Sequence, residues 1–398
     1  DLDGNYTLEL PEADATLVFS FIGYTKTEER VSGRKILNVQ LSEQSTELGD
    51  AVVVAYGRQK RESVVASITS IAPEQLKVST SRSISNNLAG TVAGVLAIQR
   101  SGEPGYDNST FWIRGISTFQ GAGGNPLVLI DGIERDINNI DAEEIESFSV
   151  LKDASATAVY GMRGANGVIL ITTKKGKAGK AKVTFRTEAT NLHGLRFPEY
   201  IDGWEFATLM NEACTVGGAT LPWTDEQIEK FRDGSDPYLY PSIDWTDQVL
   251  KKDAFQTTNT LSVSGGNETV RYYVSVGYMS TSGLWKEDPT FGYSTNARSQ
   301  RYNFRSNVDI NLHKNFSISL GLAEIVRENG FPGYGAQDIF NQLKRISPIA
   351  FPIRNPDGSF GGGTTSYENI SPYVMVTNGG FIKYTHTSTQ ATFGAKWD

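Results

Sequence analysis

Glu143 and Glu144 stand side by side in a chain with few other groupings able to do chemistry. Two carboxylates are the equipment of a glycosidase, but that reaction needs them facing each other across a sugar, one protonated and one ionised. Here they follow Asp141, and Asp141 with Glu144 three residues on reads as a capping-box-like helix start, where acidic side chains favour the helix dipole. The run from Gly161 to Gly167, GMRGANG, has the glycine density of a phosphate loop. It follows a helix and opens a strand, the reverse of the order that points a helix N-terminus at phosphate, and no GxxxxGK[ST] pattern occurs. There is no G-x-S-x-G elbow and no histidine nearby to serve a serine triad. His193, His313 and His386 are too dispersed for a metal site, and Cys214 is the only cysteine, which excludes an intrachain disulfide and a cysteine-based zinc cluster. The opening residues, Asp1 to Pro11, imitate a calcium loop, but the sixth position holds Tyr6 where such a loop needs glycine, so a hairpin turn is expected. These residues predict no enzyme, no metal and no cofactor.

The elements that carry them are mostly strands. From Arg301 to Leu312 the chain alternates, with Tyr302, Phe304, Val308, Ile310 and Leu312 on one face and Arg301, Asn303, Arg305, Asn307, Asp309 and Asn311 on the other. The run is about twice the usual ~5–6 residues of a strand and fits a tilted membrane-spanning strand of ~9–11 residues, with lipid outside and a polar lumen inside. On that reading Asn307, on the lumen side, should tolerate arginine. After a turn at His313 to Asn315 the pattern resumes with Phe316, Ile318, Leu320 and Leu322, so the two runs form a hairpin. Lys182 to Thr190, Thr257 to Ser264, Val270 to Met279 and Thr387 to Trp397 fit the same template. Long connections alternate with short ones, as outer-membrane barrels alternate long extracellular loops with short periplasmic turns. Composition agrees by exclusion. The net charge of −8 argues against a nucleic-acid partner, and no stretch approaches the ~18 apolar residues of a spanning helix.

Upstream, residues from about Arg58 to Lys177 read as a compact α+β unit of short strands and helices. A helix is expected at Ser83 to Ala89 and a buried strand at Pro126 to Ile130. From Val150 to Gly176 a short strand (Val150, Leu151) leads to a capped helix (Ala154 to Tyr160), a tight turn at GMRGANG and the β-branched strand Val168 to Thr172. Before this unit, a polar stretch at Ser42 to Leu48 meets the valine run of LGDAVVVAYG, which is suited to adding itself to another protein's sheet edge. A last strand of the preceding sandwich is the alternative. The strands Leu17 to Tyr24 and Ile36 to Leu41 come before it.

The phrases NNLAGTVAGVLAIQRSGEPG, WIRGIST, NPLVLIDG and IESFSVLKDASATAVYG, in that order and spacing, resemble the plug of SusC/RagA-type TonB-dependent outer-membrane transporters. The resemblance implies a mixed fold: residues 1–44 the remnant of a carboxypeptidase-regulatory-like β-sandwich, 45–57 a linker with the TonB box, 58–178 an α+β plug domain, and 179–398 the first six strands of a transmembrane antiparallel β-barrel, which has about 22 strands when complete. Six strands cannot close a barrel, so the chain is expected to be a fragment of a longer polypeptide. The TonB box falls on Asp50, Val52, Val53, Val54, Ala55, Tyr56 and Gly57, with Ala55 where the family usually has glycine. Implied partners are TonB with ExbB and ExbD, a SusD-like surface lipoprotein acting as a lid, outer-membrane lipid, and an oligosaccharide or peptide ligand. Trp112, Arg114, Phe119, Trp204 and Trp245 are the candidate ligand contacts. Trp112 departs from the family's smaller or basic residues, and a core tryptophan is the competing assignment. The long connections are rich in aromatics (Trp204, Trp223, Tyr238, Tyr240, Trp245, Phe351, Tyr373), which fits a ligand surface, a lid contact or packing within the loops. The implied function is import of an oligomeric nutrient. A lidless siderophore or cobalamin receptor and a soluble glycan-binding β-protein remain as alternatives.

Overall fold

A computed structural model describes residues 8, 15–19, 27–39, 51–54, 57–60, 68–77, 81, 83–115, 124–153, 157–363 and 370–397. Near the N-terminus β1 (Thr16–Phe19) pairs with β2 (Thr27–Arg30). The valine run forms β3 (Ala51–Val54), which pairs with β4 (Gly57–Lys60) so that Val52 lies opposite Gln59 and Val54 opposite Gly57. Asp50, Ala55, Tyr56 and Phe119 lie outside the described residues, as do the calcium-loop mimic apart from Leu8 and the Ser42 to Leu48 linker.

The α+β unit contains β5 (Ile68–Ile71), β6 (Val95–Gln99), β7 (Ser109–Ile113), β8 (Leu127–Ile130), β9 (Ile133–Glu134), β10 (Ile145–Leu151) and β11 (Val168–Thr173). Five of these make one mixed sheet in the order β5-β10-β11-β8-β9, where only β11 and β8 run parallel. β11 carries a continuous apolar run because it is central and covered on both faces. Val168, Ile169 and Ile171 are each at most 2% exposed; Ile169 and Ile171 pack with Phe148, Val150, Ile130 and Leu76, and Val168 packs in a second cluster with Leu127, Leu151 and Leu170. β6 and β7 form a separate hairpin, with Gln99 opposite Ser109 at its outer end.

Local readings changed in four places. Residues 36–39, expected to open a strand, are not in one. β10 begins at Ile145, well before the expected Val150. The expected helix at Ser83 to Ala89 is one turn, Ile84–Asn87. Residues Ala158–Gly164 form a 3-10 helix that kinks at Gly161, so the expected turn is partly helical. Gly167 does need glycine: its φ is +89° and a Cβ there would sit 2.7 Å from Ile113 Cδ1.

The second sheet is a wall of six strands in sequence order, each antiparallel to the next: β12 (Gly179–His193), β13 (Asp253–Gly266), β14 (Val270–Ser282), β15 (Arg298–His313), β16 (Phe316–Pro332) and β17 (Phe381–Trp397). Short turns at 267–269 and 314–315 alternate with connections spanning 194–252, 283–297 and 333–380. The wall inverts the burial of a water-soluble sheet. On β15, Arg301, Asn303, Arg305 and Asn307 are 7%, 5%, 3% and 9% exposed, whereas Tyr302 and Phe304 between them are 44% and 40% exposed. Phe185, Val276, Leu322 and Phe393 on other strands also face outward. Polar inside and apolar outside is the pattern of a lipid-facing barrel wall, and it removes the soluble β-protein from consideration. No helix among the described residues is long and apolar enough to cross a membrane.

Candidate functional site

The α+β unit sits against the polar face of the wall, and its contacts form a seam of hydrogen-bonded charges. Asp141 caps a 3-10 turn, Ala142–Glu144, by accepting from Glu143 N at 2.9 Å. Glu144 does not complete a capping box. Its carboxylate leaves the turn and meets Arg305 Nε at 2.8 Å, with both side chains 4% exposed. Ser275 Oγ donates to the other oxygen at 3.3 Å. Asp141 in turn pairs with Arg301 at 3.0 Å. Glu143 points the other way, to Lys77 at 2.8 Å, Arg186 at 2.7 Å and Lys174 at 3.7 Å. The adjacent carboxylates that resembled a dipole-favouring helix start are therefore the fastening of the unit to the wall.

Their environments separate them. Burial pushes the Glu144 carboxyl above its ordinary value of 4.5 despite Arg305. Burial also acts upward on Glu143, but the hydrogen bond from Lys77 and the charges of Lys77, Lys174 and Arg186 outweigh it and hold that carboxyl below 4.5. Hydrogen bonds to uncharged acceptors extend the seam. Asn307 Nδ2 donates to Thr173 Oγ1 at 2.9 Å and to Lys174 O at 2.7 Å, and Arg327 Nη2 donates to Asn138 O at 2.9 Å. Asn307 faces the unit it fastens, so the expectation that arginine is tolerated there is corrected: the substitution would break the bonds to Thr173 and Lys174.

Above the seam a cavity of about 1140 Å³ opens between the loop at the tip of the β6–β7 hairpin and the outer ends of the wall strands. Arg100, Glu103 and Tyr106 line it from the hairpin loop, and Phe197, Gln256, Trp285, Gln337 and Phe340 line it from the wall and its long connections. Trp285 Nε1 donates to Glu103 Oε1 at 3.0 Å. Tyr106 packs on Phe331 with ring centroids 4.4 Å apart. Gly105, at φ +93°, brings the backbone so close that a Cβ would lie 2.9 Å from Phe331 Cζ and from Asn329 Cγ. The long connections share a core of Trp245, Val249, Trp285, Ile339, Leu343 and Phe351. Asp288 ties them together, accepting from Arg354 Nη2 at 2.7 Å and from the Tyr373 hydroxyl at 3.1 Å.

The residues selected from sequence fall in several places. Trp112 lies on β7 opposite Leu96, half-buried, three pairs from the hairpin end that meets the cavity. Arg114 is exposed at the far end of that hairpin, at φ +60°, and pairs with Asp153. Trp204 opens the helix Gly203–Gly217 and has the Arg232 guanidinium 4.7 Å from its ring. Trp245 is 4% exposed, donates from Nε1 to Ser347 O at 2.9 Å and packs edge-on against Phe351, so its ring serves the loop core. Trp223 and Tyr240 likewise pack on Phe231. Sequence reading missed Glu103, Tyr106 and Trp285. The signal was the turn-rich run Ser101 to Asn108, whose glycines and proline mark a loop held in a specified shape. Among the described residues no group of three or more acidic, histidine or cysteine side chains is placed to hold a metal ion.

A mixed sheet seated by buried charges on the polar face of an inverted antiparallel wall is the arrangement of a plugged barrel. Residues 60–168 match the TonB-dependent receptor plug domain family. With the relatives that follow, the match makes the chain similar to the SusC/RagA-type TonB-dependent transporters. It is 33% identical over 371 residues to the TonB-dependent receptor P26 of Formosa agariphila, covering 91% of this chain and 34% of that protein. It is 30% identical over 327 residues to the TonB-dependent receptor SusC of Bacteroides thetaiotaomicron, covering 79% of this chain and 30% of that protein. The RagAB peptide importer, solved in an open-open state, superposes with a TM-score of 0.59 at 26% identity over 70% of this chain and 32% of that one. The chain thus spans about a third of the length of the curated relatives it matches.

Proposed function

We propose that the full-length transporter imports an oligomeric nutrient across the outer membrane, with an oligosaccharide as the first reading. The observation that carries this is the seating of the plug. A blocked passage whose stopper is fastened by ion pairs and hydrogen bonds, with a roomy chamber above it, suits a cargo that enters from outside and passes when the stopper is displaced. The chamber lining of amides, hydroxyls and aromatic rings supports a sugar ligand, since ring faces stack on sugars while polar groups meet hydroxyls. A peptide is the second reading, supported by the likeness to the RagAB peptide importer.

Energy reaches the plug, on this proposal, through TonB with ExbB and ExbD acting on Asp50 to Gly57. β3 and β4 support this reading, because a short hairpin ahead of the plug is a segment that can exchange its own pairing for a partner's strand. A SusD-like lipoprotein covers the outer loops as a lid, and Trp112, Arg114, Phe119 and Trp204 are proposed as secondary ligand contacts. No chemical step is assigned to any residue.

The test is uptake of isotope-labelled oligosaccharide and peptide mixtures by cells carrying full-length wild-type protein or a variant lacking residues 50–57. The variant should bind cargo at the surface and import none. Uptake at the wild-type rate would overturn the coupling assignment, and which labelled mixture enters decides the cargo.

A further inference from the structure

The geometry points to an interlock between the plug and the outer loops, made by Glu103 with Trp285 and by Tyr106 with Phe331, through which the arrangement of the outer loops is passed to the plug. It rests on the transporter reading above and adds to it the residues that join the two parts. The first observation is connectivity. Glu103 and Tyr106 belong to the plug's hairpin loop, while Trp285 lies in the connection 283–297 and Phe331 at the end of β16, both within the buried core that the long connections share. Trp285 is 4% exposed and Phe331 6% exposed, so neither can move without disturbing Trp245, Ile339 and Phe351 around them. Gly105 lies between the two plug residues and allows the loop to approach Asn329 and Phe331 at a distance no side chain would permit.

The second observation is the chemistry of the joint. Trp285 Nε1 can only donate, and Glu103 Oε1 receives it at 3.0 Å. Burial raises the Glu103 carboxyl above its ordinary 4.5, and the indole hydrogen bond offsets only part of that. The third observation is position: Glu103, Tyr106 and Trp285 all line the same cavity of about 1140 Å³. An occupant carrying hydroxyl or ammonium donors therefore reaches both sides of the joint and competes with Trp285 for the carboxylate. Outer-loop rearrangement and cargo binding then act on the plug through one contact.

The test uses ligand-free, full-length protein in detergent and reads amide hydrogen exchange on each side of the joint. Trp285→Phe keeps the ring and removes the donor; Glu103→Ala removes the acceptor, and Glu103→Gln restores a neutral one. Trp285→Phe should speed exchange in plug residues 99–109 about tenfold, and Glu103→Ala should do the same in loop residues 283–297, the size expected from one hydrogen bond to a charged group. Glu103→Gln should return most of the protection. Exchange that rises only in the element carrying the substitution would overturn the interlock. Because no energy source and no cargo enter the measurement, its failure leaves the import proposal standing, and failure of import leaves the interlock measurable.

Discussion

Arg305 without Glu144, or Glu144 without Arg305, is a buried charge with its strongest partner gone. Removing one member of such a pair typically costs roughly 3–5 kcal/mol, whereas replacing both with apolar groups of similar size is often near neutral. Arg305→Met is therefore expected to free the plug, read as protease sensitivity of residues 127–175 in the full-length protein, while Glu144→Leu with Arg305→Met recovers most of the resistance. Equal sensitivity of the single and double variants would show that the ion pair is not what holds the plug. The same residues give a pH signature. Glu144 has a raised folded value, so the folded state takes up its proton before the unfolded chain does; this group's contribution to folding stability grows as pH falls from neutral through that value, while the same protonation ends the ion pair with Arg305. Asp288 has the opposite sign. The hydroxyl and amide of Thr290, then Arg354 and Tyr373, hold it below 3.8, so the loop clasp is fully formed above 3.8 and is lost only as pH falls further. Limited proteolysis of the outer loops should show wild-type protection throughout the range above that value, and Asp288→Asn should lower protection at neutral pH and flatten its pH dependence.

At the scale of elements, β15 states its facing twice, once in its alternation and once in its burial. Phe304→Arg places a charge on the lipid side at a cost of roughly 2–4 kcal/mol near the bilayer midplane, and should reduce the heat-modifiable, assembled form. Asn307→Ala removes contacts to β11 without touching lipid. It should leave assembly intact and loosen the plug, detectable as greater vancomycin sensitivity of cells. Similar assembly for both variants would contradict the assigned faces. The strands were legible because one side of each meets lipid and the other does not. Their ends were not, and β16 shows why. Its alternation was legible as far as Leu322, yet it runs on to Pro332, and beyond Ala323 the polarity reverses: Glu324 faces out and Ile325 is 3% exposed inside. There the strand has left the apolar band, so the contrast that revealed it disappears. The seam was half legible. Arg301 and Arg305 stood on the right face of β15, but Glu144 looked like a local cap because its partner lies 161 residues away. The chamber was legible only as a glycine-rich loop, since Glu103 and Trp285 are brought together by tertiary structure alone.

For the whole molecule, deleting residues 58–178 from the full-length protein should leave a barrel that still assembles and admits vancomycin. Failure to assemble would mean that the wall needs the plug as a template. The expectation follows from the lining of β15, where Arg301, Asn303, Arg305 and Asn307 face the plug through groups that bind water equally well. When the plug withdraws, these side chains exchange carboxylates and carbonyls for a hydration shell, so this stretch of β15 leaves no apolar surface bare to dry the passage. An oily lining would have gripped the stopper by the hydrophobic effect and dewetted once it left. A hydrophilic one is wetted with the stopper out and satisfied with it in, so on the import proposal β15 needs no change of lining for the plug to leave and return.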